Sequence, residues 1–169
     1  MHRTKRDGQA LVEAMIAISV LTVGFLGIVT LLSRSLSLNR TVADQYLGSY
    51  LAAEGIEIVR NLLDAGIIQE KSWWKSGVIE GKDYAVDYTT SFQDGGFLPL
   101  STGAPLQYNA ATNLYGYDIG GKNTIFRRVI RVEKIGSDEM RVNAVVSWQM
   151  RGGGTGEVDV EDHFYNWRP

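Results

Sequence analysis

The chain has 169 residues, a formal net charge of −2, 21% charged residues and no cysteine. The missing cysteine excludes disulfide frameworks, Cys-ligated zinc, thiol catalysis and a lipidated N-terminal Cys. With His2 and His163 the only histidines, a His-rich metal site is excluded as well. Neither the charge nor a pI near 5.7 suits an electrostatic nucleic-acid binder.

The length suits one domain, or a small domain with an appendage. The mean hydropathy of −0.10 is an average over two unlike halves. Residues Ala14 to Leu32 form an uncharged apolar run of 19. As a helix, this run spans roughly 28 Å, close to the hydrocarbon thickness of a bilayer. Met1 to Gly8, ahead of it, carry Arg3, Lys5 and Arg6 against one acid, Asp7, and this basic flank favours a cytoplasmic N-terminus.

Three readings compete for this segment. A cleaved secretory signal has a shorter apolar core of roughly 7 to 15 residues, although Ser33-Arg-Ser35 imitates a cleavage site. A plain signal anchor accounts for the length and the basic flank but not for Glu13. A carboxylate near an apolar core is costly in a membrane and is by default functional, so it needs a partner. The third reading supplies one.

The stretch Gly8-Gln-Ala-Leu-Val-Glu13, followed by a long apolar helix, resembles the class III signal of type IV prepilins and pseudopilins. It is closest to minor pilins of the PilV type. The resemblance implies cleavage between Gly8 and Gln9 by a membrane peptidase, methylation of the new amine on Gln9, and an assembly role for Glu13. During assembly Glu13 of one subunit would meet the positive amine of a neighbour, neutralising a charge that lipid penalises. Two residues depart from the family pattern. Gln9 stands where Phe or Met is usual, and Asp7 lies directly before the cut. Gly24 and Gly27 have two readings, tolerated membrane-helix glycines or a softened stretch that loses helical structure when subunits pack.

No proline interrupts Ser33 to Asp64, and the helical period persists. Leu47, Leu51, Ala52, Ile56, Ile58, Val59, Leu62 and Leu63 share one half of the wheel. Gly48 and Gly55 lie near the middle of that half, where small residues allow close approach to a packed surface. Gly66 is the expected stop. Glu54 and Glu57 read either as carboxylates at catalytic or ligand spacing or as part of a solvated polar face with Arg60.

After Gly66 the period becomes that of strands. Tyr84 to Phe92 is β-like, and Phe126 to Ile135, Met140 to Met150 and Val158 to Tyr165 are clear strands. Gly136 to Asp138 and Gly152 to Gly156 read as hairpin loops of three and five residues. The register then sets Phe126 against Trp148, Ile130 against Ala144 and Val132 against Val142. Beyond the second loop it sets Trp148 against Val160, Ala144 against Phe164 and Arg151 against Glu157. Arg128 and Asp162 fall on the core face on either side of Val146. They form either a structural ion pair or two separate groups that reach water at the core edge.

Residues 91–123 are rich in turns, with a short strand expected over Leu114 to Ile119. Tyr108, Tyr115 and Tyr117 form either a binding surface or a cover for the core edge. Trp73 and Trp74 are expected to pack beneath the helix-to-sheet connection, and Trp167 to dock the tail. Asp94 and Asp118 leave a loop calcium site open, but there is no EF-hand spacing. His163 beside Asp162 would face the opposite side of its strand. No nucleophile elbow or phosphate loop is present, so no catalytic residue, metal or cofactor is expected.

The expected fold is α+β and pilin-like, a long N-terminal helix packed on a C-terminal antiparallel β head. Residues 1–8 would be a leader, 9–32 the transmembrane and assembly helix, 33–65 its amphipathic continuation and 66–169 the head. The resemblance implies a filament subunit, first held in the cytoplasmic membrane with its head outside. Its partners would be the lipid bilayer, a prepilin peptidase/methyltransferase, an assembly platform and other pilins. A secretion or DNA-uptake pseudopilin fits the same residues, and a non-polymerising membrane-anchored binding module is the alternative of another class.

Overall fold

The computed structural model describes residues 4–69, 82–90, 98–99, 103–117 and 119–166. The first element, α1, is a single helix over Thr4–Ile68. It is followed by eight strands: β1 (Asp83–Ala85), β2 (Leu98–Pro99), β3 (Gln107–Asn109), β4 (Leu114–Gly116), β5 (Lys122–Asn123), β6 (Phe126–Ile135), β7 (Glu139–Gln149) and β8 (Thr155–Tyr165). The chain divides into two units, Met1–Ala43 and Asp44–Pro169.

Among its described residues, 4–43, the first unit is helix alone. Its apolar side chains are exposed, Leu21 at 73% and Phe25 at 63% among them. Exposure continues through Leu36, Leu38 and Val42, and packing on the head begins near Leu47, the first residue of the apolar half-wheel.

The second unit is an α+β head in which the last third of α1 packs on an antiparallel sheet of order β2-β1-β6-β7-β8. Leu51, Ala52, Ile56, Val59, Leu62 and Leu63 are buried, as the wheel anticipates. They meet Phe126, Ile130 and Val132 of β6 and Met140, Val142, Ala144, Val146 and Trp148 of β7 in one core. Gly66 does not stop the helix. It is buried in the final turn and α1 runs on to Ile68, because packing outweighs glycine's cost of about 1 kcal/mol. Gly48 and Gly55 sit where close approach is needed. A Cβ on Gly48 would lie 2.7 Å from the Trp148 ring, and one on Gly55 would lie 2.9 Å from Ile130 Cδ1.

The β6–β7 hairpin has the expected register, Phe126 opposite Trp148 through Ile135 opposite Glu139, with Gly136 at φ 68° in its three-residue loop. The second hairpin is corrected. Trp148 faces Gly156 rather than Val160, Ala144 faces Val160 rather than Phe164, and Ser147 rather than Arg151 faces Glu157. The turn occupies residues 150–154, with Gly153 and Gly154 at φ 88° and 90°. Two causes are visible. These two glycines supply the left-handed turn positions, and the Trp148 indole lies so close over Gly156 that any side chain there would collide with it. The expected and observed registers differ by four residues, an even number, so the core face of β8 keeps the same residues.

Two further elements are shorter than their patterns suggest, and one buried carboxylate accounts for both. Asp87 turns the chain after β1. Its Oδ1 accepts from Thr89 N at 2.9 Å and from the Thr89 hydroxyl at 2.6 Å, while its own N–H donates to Thr90 Oγ1. Its Oδ2 takes the N–H of Tyr117 at 2.7 Å, drawing the chain out of β4 after Gly116. β4, β3 and β5 make a separate three-stranded sheet within the region expected to be mostly loop. Leu106, fully buried, ties this segment to β6 by donating its N–H to Phe126 O at 2.8 Å.

Candidate functional site

The helix of the first unit is strongly apolar and its apolar side chains are exposed. The helix Gly8–Ile68 includes an 18-residue stretch of mean hydropathy 2.5 that is 0% buried. It is long and apolar enough to span a membrane. The three hydroxyls of the apolar run Ala14 to Leu32 are satisfied internally, Ser19 donating to Met15 O at 2.7 Å, Thr22 to Ile18 O at 2.7 Å and Thr30 to Leu26 O at 2.8 Å. A polar group left unpaired in hydrocarbon costs several kcal/mol, and these back-bonds remove that cost.

Glu13 is the only charged residue between Asp7 and Arg34, and it is exposed on this helix five residues after Gly8. Gly8 and Gln9 are exposed too. The helix passes unbroken through Gly24 and Gly27, where an added Cβ would meet nothing within 4 Å.

In the head, the charged residues pair differently from the sequence expectation. Arg128 does not reach Asp162. Its guanidinium is buried, with Nη1 3.3 Å from Glu54 Oε2 and 2.9 Å from Leu51 O, and Nη2 donating to Val86 O at 2.7 Å. Asp162 instead takes Arg60 Nη2 at 2.8 Å, and Arg60 also pairs with Glu57. The corrected register is the cause. It places Val158 rather than Asp162 opposite Val146, and Asp162 opposite Val142, within reach of the helix at Arg60. Glu54 is therefore the partner of a buried cation on the helix flank, and not part of a freely solvated face.

Tyr115 and Tyr117 pack against the core, and Tyr117 OH donates to Arg128 O at 2.8 Å. Burial raises the pKa of both phenols above the ordinary value. Tyr108 stacks obliquely on Tyr115 with centroids 5.0 Å apart, and its hydroxyl donates to Asn113 Oδ1. Two of the three tyrosines thus cover the core edge. Trp73, Trp74, Asp94, Asp118 and Trp167 lie outside the described residues.

Three features escape sequence reasoning. Asp87 carries no motif beyond the two threonines that follow it. The Arg128–Glu54 pair joins residues far apart in sequence. His163 stands between two carboxylates on the outer sheet face, Nδ1 with Glu139 Oε1 and Nε2 with Glu161 Oε1 at 3.1 Å. Hydrogen bonding to Glu139, then to Glu161, holds the imidazole pKa above its ordinary value. Glu161 in turn lies below the usual carboxylate range, through hydrogen bonds from His163 and then from Asn143. The expected pairing of β7 with β8 would have set this histidine opposite Val145, where no such cluster arises.

Among the described residues, no group of three or more His, Asp or Glu side chains is arranged to hold a metal ion. Comparison of the chain with protein-family models, with curated proteins and with solved structures gives no match.

Proposed function

We propose that this chain is a structural subunit, of minor-pilin type, in a type IV pilus-like filament. One observation carries the reading: an apolar helix with a single carboxylate, Glu13, five residues after Gly8, that continues without a break into an α+β head. A lone carboxylate on a membrane-grade helix is costly unless a partner neutralises it. A methylated N-terminal amine, created on Gln9 of a neighbouring subunit by cleavage after Gly8, is such a partner. In this reading the head lies outside the cytoplasmic membrane before assembly, and the activity is assembly rather than catalysis.

The test is the mature N-terminus, read by mass spectrometry after co-expression with a prepilin peptidase. A methylated chain beginning at Gln9 is expected. A chain that begins at Met1, or after Ser35, overturns the reading. A second arm replaces Glu13→Ala, which should leave membrane insertion and head folding intact while blocking incorporation into filaments. Normal incorporation of that variant would leave the anchored, non-polymerising alternative as the better account.

A further inference from the structure

We propose that the outer edge of β8, unpaired among the described residues, is a docking site for an extended polypeptide segment of alternating basic and apolar residues, which joins the head's sheet as a further strand. The inference goes beyond the filament reading and does not depend on it.

Three observations meet at this edge. First, β8 ends the sheet order, and no strand pairs with its outer side among the described residues. Its eleven residues are paired on the β7 side without interruption from Thr155 to Tyr165, with no proline and no bulge. Sheet edges of this length are normally shortened, bulged or covered, because their unpaired N–H and C=O groups recruit other chains. The opposite edge follows that rule, since β2 is two residues long and ends in Pro99.

Second, the inward side of the edge is largely apolar and incompletely covered, with Asp162, paired to Arg60, as its one charge. Val158, Val160 and Phe164 are only partly buried against the core. Beside Phe164 a cavity of about 560 Å³ opens between β8 and the end of α1, with Leu63, Ile67 and Ile68 in its wall next to Asp64 and the Arg60–Asp162 pair. Apolar side chains at every second position of an added strand would lie over these residues.

Third, the outward side of the same strand presents Glu157, Asp159 and Glu161, all exposed. An antiparallel second copy of β8 centred on Asp159 would set Glu157 against Glu161 of that copy, and like charges across a ladder are unfavourable. A strand with Lys or Arg at alternate positions meets opposite charge instead. Asn143 already donates to Asp159 and Glu161, at 3.1 and 3.0 Å, and His163 with Arg141 also faces Glu161, but a carboxylate has about four lone-pair sites and both can take a further donor. In that register the edge disfavours its own copy and favours a basic partner.

The test uses the full chain in detergent micelles and a fluorescent eleven-residue peptide of alternating Lys and Val. Controls are a peptide of the same residues in two blocks and one of alternating Glu and Val. The alternating basic peptide should bind roughly tenfold tighter than either control, and it should slow amide exchange within β8. The variant Glu157→Lys, Asp159→Lys, Glu161→Lys should reverse the preference toward the acidic peptide. Should that variant not fold, Glu157→Gln with Glu161→Gln should still weaken binding of the basic peptide. Equal binding of the alternating and block peptides, or unchanged exchange in β8, overturns the proposal. A short intermolecular distance between spin labels at Asp159→Cys would assign the edge to a second copy and overturn it as well.

Discussion

The Arg128 guanidinium, fully buried on the core face of β6, lies 3.3 Å from the Glu54 carboxylate on the flank of α1. It also donates to the Leu51 carbonyl of the same helix and to the Val86 carbonyl beyond β1. Gly55 makes room for it, since a Cβ there would stand 3.1 Å from Arg128 Cδ. One cation thus joins helix, sheet and the turn that begins at Asp87.

Truncating this cation should be the most damaging single change in the head. Arg128→Ala removes the pair and leaves two carbonyls and a cavity, at a cost of about 3–5 kcal/mol. Glu54→Gln should cost less, because Glu54 is about one-third exposed and both carbonyl acceptors remain. Denaturant unfolding of the full chain in micelles, followed by near-UV circular dichroism, ranks the two variants.

The Arg60–Asp162 pair offers a contrast, with side chains 45% and 35% exposed. Exposed pairs contribute about 0–1 kcal/mol, so Arg60→Gln should shift stability only slightly, and less still in high salt. Reversing the pair with Arg60→Asp and Asp162→Arg together should recover part of what either reversal loses alone. The same double-mutant cycle run on Arg128 and Asp162 should show no coupling, which distinguishes the observed pairing from the one expected from sequence.

Trp148 is held between two glycines, Gly48 of α1 and Gly156 of β8. Gly48→Ala should cost about 1–3 kcal/mol by overpacking. Pairing it with Trp148→Phe should cost less than the two single changes summed. Gly24→Ala, in open surroundings, should instead raise helicity without harming the head. Thermal unfolding of the four variants, Trp148→Phe alone included, separates steric from propensity effects.

His163 gives the head a signed pH dependence. Its pKa is raised in the folded state, so its contribution is complete below the ordinary imidazole value of about 6.5 and is lost as pH rises through the folded value. Glu161 is shifted down, so its contribution is complete above about 4.3 and is lost as pH falls through its folded value. The stability gap between the native chain and His163→Gln should be widest between these two limits and narrow toward alkaline pH. Unfolding midpoints measured across that range check it, and a gap that widens above neutrality would contradict the assignment.

Much of this architecture is local and therefore legible. The buried set from Leu51 to Leu63 follows from a 3.6-residue period, and the β6–β7 register follows from a three-residue loop with strict alternation on both sides. The second hairpin is not legible in the same way. A run of glycines permits the turn at more than one place, and a shift of an even number of residues leaves the inward and outward faces unchanged, so alternation cannot choose. What chooses is the bulk of Trp148 over Gly156, a cross-strand contact absent from any local pattern.

That shift governs the charges. Sequence alone determines the apolar run, the lone Glu13, the amphipathic face near Leu51 to Leu63 and the placement of Arg128 on the core side, because charge, hydropathy and period belong to neighbouring residues. Only the tertiary structure decides that Arg128 pairs with Glu54, that Asp162 pairs with Arg60 and that His163 stands between Glu139 and Glu161. A buried charge takes the partner that packing brings within a few ångströms, and here helix packing and strand register set that distance.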